Sequence, residues 1–99
     1  MSRKTVIAFI PARMHATRFP GKPLADILGL PMVDHVRRRA GLCPAIDDVY
    51  VATCDPAIRD AVVRHGGKAL MTASTHERCT DRIEEAARQV AVDIAVIVQ

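Results

Sequence analysis

Arg13, Arg18 and Lys22 lie close together on a stretch that runs from Pro11 to Pro23. Arginine offers a rigid, planar donor fork to phosphate oxygens, and lysine offers a compact point charge. Pro11, Pro20 and Pro23 restrict the backbone between them, and Gly21 allows conformations and close approaches that a Cβ resists. Fixed cations on a constrained loop read as a cradle for a triphosphate. Arg13 and Lys22 are the sharpest candidates, and Arg18 either joins them or pairs with a carboxylate. The apolar run Val6 to Ile10 precedes the loop and reads as a buried strand ended by Pro11. The cations would then sit at the C-terminal end of a first strand, where open α/β sheets bind their ligands.

The rest of the chain supplies the elements that would hold such a loop. Thr5 to Ile10 is the first strand. Pro31 opens a helix from Met32 to about Leu42, with Met32, Val33, Val36 and Ala40 at helical spacing. Asp48 to Thr53 is an apolar, β-branched second strand. Asp55-Pro56 then reads as an N-cap followed by proline at the first helical position. That helix buries Ile58, Ala61 and Val62, and Gly66-Gly67 ends it. Lys68 to Thr72 is a short third strand. Thr80 can cap a third helix, which carries Ile83, Ala86, Ala87 and Val90 on one face. Asp93 to Val98 is a fourth, nearly all-apolar strand. Four strands alternating with three helices imply βαβ crossovers and a Rossmann-like parallel sheet. Nothing follows the fourth strand to cover it, so the 99 residues are expected to be the N-terminal portion of a larger domain.

Composition agrees and excludes several classes. Apolar residues make up 49% of the chain and aromatics only 3%, so the core must be aliphatic, as suits a buried parallel sheet. The scarcity of aromatics argues against single-stranded nucleic-acid binding, which relies on stacking platforms. A net charge of +3 suits an anionic small molecule and is too small to imply a nucleic-acid surface. The basic run Arg37-Arg38-Arg39 reads as a solvated helix face. Three cysteines without CxxC spacing fit a reducing compartment and neither a disulfide framework nor a zinc site. The run after Arg3 and Lys4 is too short for a signal peptide, and no segment approaches a membrane span. A cytoplasmic protein is expected.

Pro11-Ala12-Arg13 through Arg18-Phe19-Pro20-Gly21-Lys22-Pro23-Leu24 resembles the motif Pro-Ala-Arg-x-x-Ser-x-Arg-Leu-Pro-Gly-Lys-Pro-Leu of the cytidylyltransferases that activate 3-deoxy-manno-octulosonate (Kdo). Thr17 stands at or near the motif's serine and Phe19 replaces its leucine. Val51-Ala52-Thr53-Cys54-Asp55 resembles the family's Val-Ala-Thr-Asp. Met71-Thr72 with His76 to Arg82 resembles its Met-Thr and His-x-Ser-Gly-Thr-Asp/Glu-Arg blocks, with Arg78-Cys79 in place of Ser-Gly. Val96-Ile97-Val98-Gln99 resembles the strand that enters Val-Gln-Gly-Asp-Glu-Pro.

The resemblance implies a nucleotide-diphospho-sugar transferase type of Rossmann-like sheet, of which residues 1–99 form the CTP-binding portion. It implies that Arg13 and Lys22 hold the CTP phosphates, Lys22 beside the leaving pyrophosphate, with Pro11 and Ala12 at the base of the loop. Thr80 and Arg82 would lie along the nucleotide near base and ribose, and Gln99 would approach it from the next loop. It further implies a Mg2+-dependent transfer from CTP to Kdo, giving CMP-Kdo and pyrophosphate for lipopolysaccharide or capsule. The family's magnesium-binding aspartate would fall after Gln99, so no metal ligand is assigned within the chain. Neither nucleic acid nor membrane is a partner, and the full-length form is compatible with a homodimer. A cytidylyltransferase for an amino-Kdo or sialic-type acid is the alternative enzyme. A non-catalytic nucleotide-binding fragment is the alternative from another class. Cys79 has no visible histidine pairing, and the chemistry requires no covalent nucleophile.

Overall fold

The computed structural model describes residues 4–13, 26–27, 29–73, 79–90 and 92–98. Strand β1 spans Val6–Ala12, β2 Asp26–Ile27 and β3 Leu30–Pro31, followed by helix α1 over Met32–Gly41. Then come β4 at Asp48–Thr53, α2 at Pro56–Arg64, β5 at Lys68–Met71, α3 at Cys79–Arg88 and β6 at Ile94–Ile97. The main sheet has the order β5-β4-β1-β6, and all its pairings are parallel. The Rossmann-like α/β arrangement expected from the alternating pattern is therefore present.

Strand β1 occupies a central position because it is apolar on both faces. Ile10 and Ala12 pack with Val51 of β4, Val33 of α1, and Ile58 and Val62 of α2. Ile7 and Phe9 point the other way and pack with Ala52 of β4 and with Ile83 and Ala86 of α3. The period-two alternation of strand side chains thus builds two cores, with α1 and α2 on one face and α3 on the other. The Phe9 and Tyr50 rings stack at 6.2 Å between centroids, which is a large share of the aromatic contact this aliphatic chain can make.

Two aspartates fix the entry of β1. Asp93 Oδ2 accepts from Thr5 N at 2.7 Å, and Asp47 Oδ2 accepts from Val6 N at 2.8 Å. Both carboxylates sit just before neighbouring strands, β6 and β4, so they set the register of the sheet where it begins.

The structure departs from the sequence-based expectation in four places. Pro11 does not end β1, which continues through Ala12, paired Pro11↔Ala52 and Ala12↔Thr53. The pairing with β6 stops at Phe9↔Ile97. Pro11 therefore lies where its missing N–H costs no ladder bond. Thr80 does not cap α3, because the helix already includes Cys79; nothing there forbids helical angles as a proline would. The short β2–β3 hairpin, pairing Asp26↔Pro31 and Ile27↔Leu30, was not anticipated; Gly29 supplies its positive φ of 86°.

The basic run on α1 is also not simply solvated. Asp34 is fully buried, and Arg37 and Arg38 both bind its carboxylate, at 2.8 and 2.7 Å. Arg37 further donates to the carbonyl of His65 at 3.0 Å, tying α1 to the end of α2. Gly67 lies against that strap, where a Cβ would run into the Arg37 side chain and stand 2.8 Å from Val62 Cγ1. Ile94, Val96 and Ile97 of β6 are exposed on the edge of the described sheet, in line with a fourth strand left uncovered within residues 1–99.

Candidate functional site

The site is best built from the C-terminal ends of the strands. From β1 the chain moves to β4 and β5 on one side, while β6 pairs on the other side of β1. The strand order therefore reverses at β1, and in open α/β sheets ligands bind outside the carboxyl ends at such a switch point. Arg13 is the first residue after β1 and is exposed at that point. Ala12 is buried in the core under Arg13, so only its backbone is available to a ligand, and Pro11 is half-buried beside it. Pro11 and Ala12 are the last two residues of β1, directly before Arg13.

Beside β1, the exits of β4 and β5 are joined by a hydrogen bond from Thr72 N to Thr53 O at 2.9 Å. The Thr53 hydroxyl accepts from Asp55 N at 3.1 Å and turns the chain into α2. Helix α3 begins at this same end of the sheet, because it returns from the exit of β5. Its first turn carries Thr80 and Arg82. Arg82 is buried with only 4% exposure, and its Nε has no hydrogen-bond partner among the described residues. The hydroxyl of Thr72, also buried, is in the same condition.

A buried polar atom without a partner costs about 1 to 3 kcal/mol, so two at one end of the molecule call for a physical reason. A polar ligand that meets them supplies one. Arg82 had been singled out in the sequence. Thr72 had not, although it stands in the Met71-Thr72 block; its signal is a hydroxyl placed directly after an apolar strand. Glu85 on α3 and Gln89 just after it, whose side chains bond the backbone of Ala73 and Met71, also carry no sequence signal, since acidic and amide residues are ordinarily solvated.

Arg18, Lys22, His76 and Gln99 lie outside the described residues, and so does the side chain of Thr80. The structure thus places Arg13, Thr72, Thr80 and Arg82 on elements that end or begin at the C-terminal end of the sheet. Among the described residues no three His, Cys, Asp or Glu side chains gather as a metal cage. No helix among them is long and apolar enough to cross a membrane.

The cytidylyltransferase family model matches residues 7–99. The chain belongs to the cytidylyltransferase family. Within the family it is 48% identical over 94 residues to a 3-deoxy-manno-octulosonate cytidylyltransferase of Geobacter metallireducens, covering 95% of this chain and 37% of that one. It is 51% identical over 87 residues to an 8-amino-3,8-dideoxy-manno-octulosonate cytidylyltransferase of Shewanella piezotolerans, covering 88% and 36%. Among solved structures it resembles a CMP:2-keto-3-deoxy-manno-octonic acid synthetase complexed with CTP. That match has a TM-score of 0.92 and 45% identity over 96% of this chain and 39% of the other. The chain therefore spans well under half the length of the cytidylyltransferases it matches.

Proposed function

We propose that the full-length protein transfers a cytidylyl group from CTP to Kdo, and that residues 1–99 act as the nucleotide-binding portion of a single larger domain. The observation that carries the reading is the similarity, at 45% identity and a TM-score of 0.92, to a CMP-Kdo synthetase complexed with CTP. Exposed Arg13 at the switch point supports it, as do the unpartnered polar atoms of Thr72 and Arg82.

In this reaction the anomeric hydroxyl oxygen of the sugar attacks the α-phosphorus and loses its proton. The bond from that phosphorus to the β-phosphate oxygen breaks, and pyrophosphate leaves. No covalent protein intermediate is needed, so the chain's work is positioning and charge stabilisation. Arg13 and Lys22 would fix the phosphates, with Lys22 beside the leaving group. Pro11 and Ala12 would support the loop, and Thr80, Arg82 and Gln99 would line the nucleotide. Mg2+ belongs to the proposal as counter-ion of the triphosphate. The described residues offer it no three-ligand cluster, and magnesium is commonly held by one or two carboxylates together with substrate phosphates. The CMP-sugar would serve lipopolysaccharide or capsule assembly from the cytoplasm, and a homodimer remains part of the proposal, to be read by light scattering.

The 51% identity to the amino-sugar enzyme favours 8-amino-Kdo as the second substrate to try. Pyrophosphate release by the full-length protein with CTP, Mg2+, and Kdo, 8-amino-Kdo or a sialic acid separates these readings. The four nucleoside triphosphates should be compared in the same assay. Each buried base-edge group left unpaired by a wrong base costs about 1 to 3 kcal/mol. CTP is therefore expected to lead in kcat/KM, and equal use of a purine nucleotide would sink the assignment.

A further inference from the structure

Helix α3 and the residue just after it, Gln89, present a polar row to the segment that leaves β5. Gln89 Nε2 donates to the carbonyl of Met71 at 2.9 Å. Four residues earlier on the helix, the Glu85 carboxylate accepts from Ala73 N, at 2.9 Å to one oxygen and 3.2 Å to the other. Arg82 precedes Glu85 by three residues, so all three side chains share one face of the helix. Between the two anchored backbone groups sits Thr72, held from the far side by its bond to Thr53 O. The main chain of Met71, Thr72 and Ala73 is therefore tied down at each residue in turn.

A segment leaving a strand is normally solvated and mobile, and water would satisfy the same groups. Both side-chain bonds are solvent-exposed, so they add little to global stability. What they do fix is the spacing between Thr72 on one element and Arg82 on the other. These two residues carry the unpartnered buried atoms of the candidate site.

We propose that Glu85 and Gln89 are positioning residues of the nucleotide site: they lock the Met71–Ala73 segment onto α3, so that Thr72 and Arg82 meet the ligand at one set distance. The inference rests on the proposed CTP-dependent function. Neither side chain is assigned a contact with substrate; each acts through the backbone it holds.

The test uses the full-length protein as wild type, E85A, E85Q and Q89A. CTP affinity by titration calorimetry, KM and kcat for CTP and for Kdo, and the melting temperature are measured for each. E85A is expected to weaken CTP binding and raise its KM by roughly five- to twentyfold, with kcat within about twofold and the melting temperature little changed. E85Q keeps an oxygen that accepts from Ala73 N and should return within about threefold of wild type, while Q89A shifts the same constants by about threefold. A lowered melting temperature in E85A with an unchanged KM for CTP would mark a purely structural anchor and overturn the proposal. E85Q behaving like E85A would overturn it as well, because the hydrogen bond would not be the agent. A wild type that binds no CTP overturns the proposed function itself. A wild type that binds, with all three variants matching it, overturns only the positioning role.

Discussion

Under the proposed function, Arg13 would serve a bound nucleotide as an exposed cation and Thr72 as a buried hydroxyl. A hydrogen bond to a charged group contributes about 1.5 to 3 kcal/mol, so Arg13→Ala should weaken CTP binding roughly ten- to a hundredfold by titration calorimetry. Unchanged affinity with an intact fold would mark Arg13 as an ordinary solvated charge. Thr72 tests differently, because its buried hydroxyl has no partner among the described residues. Replacing it by a methyl removes an unsatisfied group, so Thr72→Val should leave the unfolding free energy unchanged or raise it by up to about 1 kcal/mol. The same variant should bind CTP more weakly. A variant that is both stable and wild-type in affinity would show that the hydroxyl is idle. At this scale the sequence offers Arg13 and Arg82 as candidates, through charge on a constrained loop and at a helix start. It did not carry Thr72, because whether a hydroxyl is satisfied depends on neighbours distant in the chain.

The helices are where charge and burial interact most closely. Burial alone would push the Asp34 carboxyl up, but the hydrogen bonds and charges of Arg37 and Arg38 outweigh it and hold the carboxyl below the ordinary carboxylate value. A group whose folded value is depressed contributes stability above its unfolded value and loses it as pH falls through the folded one. Asp34→Asn should therefore cost about 1 to 3 kcal/mol near pH 7, between the values for exposed and buried pairs. The gap between variant and wild type should narrow as pH falls from about 4 downward. Urea unfolding at both ends of that range measures it, and a gap independent of pH would mean that the carboxylate's charge is not what the strap uses. The strap also explains a limit of sequence reading. Three consecutive arginines look like a solvated face, yet Asp34 precedes Arg37 and Arg38 by one helical turn, and that spacing buries the acid and recruits both. Strand and helix existence, by contrast, was legible almost throughout. The period of apolar residues switches between two and 3.6 at Ile10, Val36, Val51, Ile58 and Ile83, all of which face the cores. Only the two-residue strands of the hairpin around Gly29 were too short to show a period.

At the scale of residues 1–99 as a whole, the described sheet has one edge, β6, that is apolar and bare. Ile94 is 43% exposed, and Val96 and Ile97 are similarly bare on a strand with no charged residue between Ile94 and Ile97. Such an edge is a template for another strand. Residues 1–99 in isolation should therefore self-associate, and Ile97→Lys should shift them toward monomer in size-exclusion chromatography with light scattering. A wild-type chain that stays monomeric at high concentration would remove the edge as a hazard. The apolar run of β6 marked it as a strand, but pattern alone did not say which position in the sheet it would take or how bare it would be. That position also affects biosynthesis. Thr5 is held by Asp93, 88 residues further along the chain, and β1 takes β6 as its second neighbour. At the usual pace of about 5 to 20 residues per second, the ribosome delivers that partner some 4 to 18 s after β1 has emerged. Until then the first strand is a half-finished seam, and Arg13 has no settled address. A chaperone therefore has several seconds in which one side of β1 lacks its neighbour.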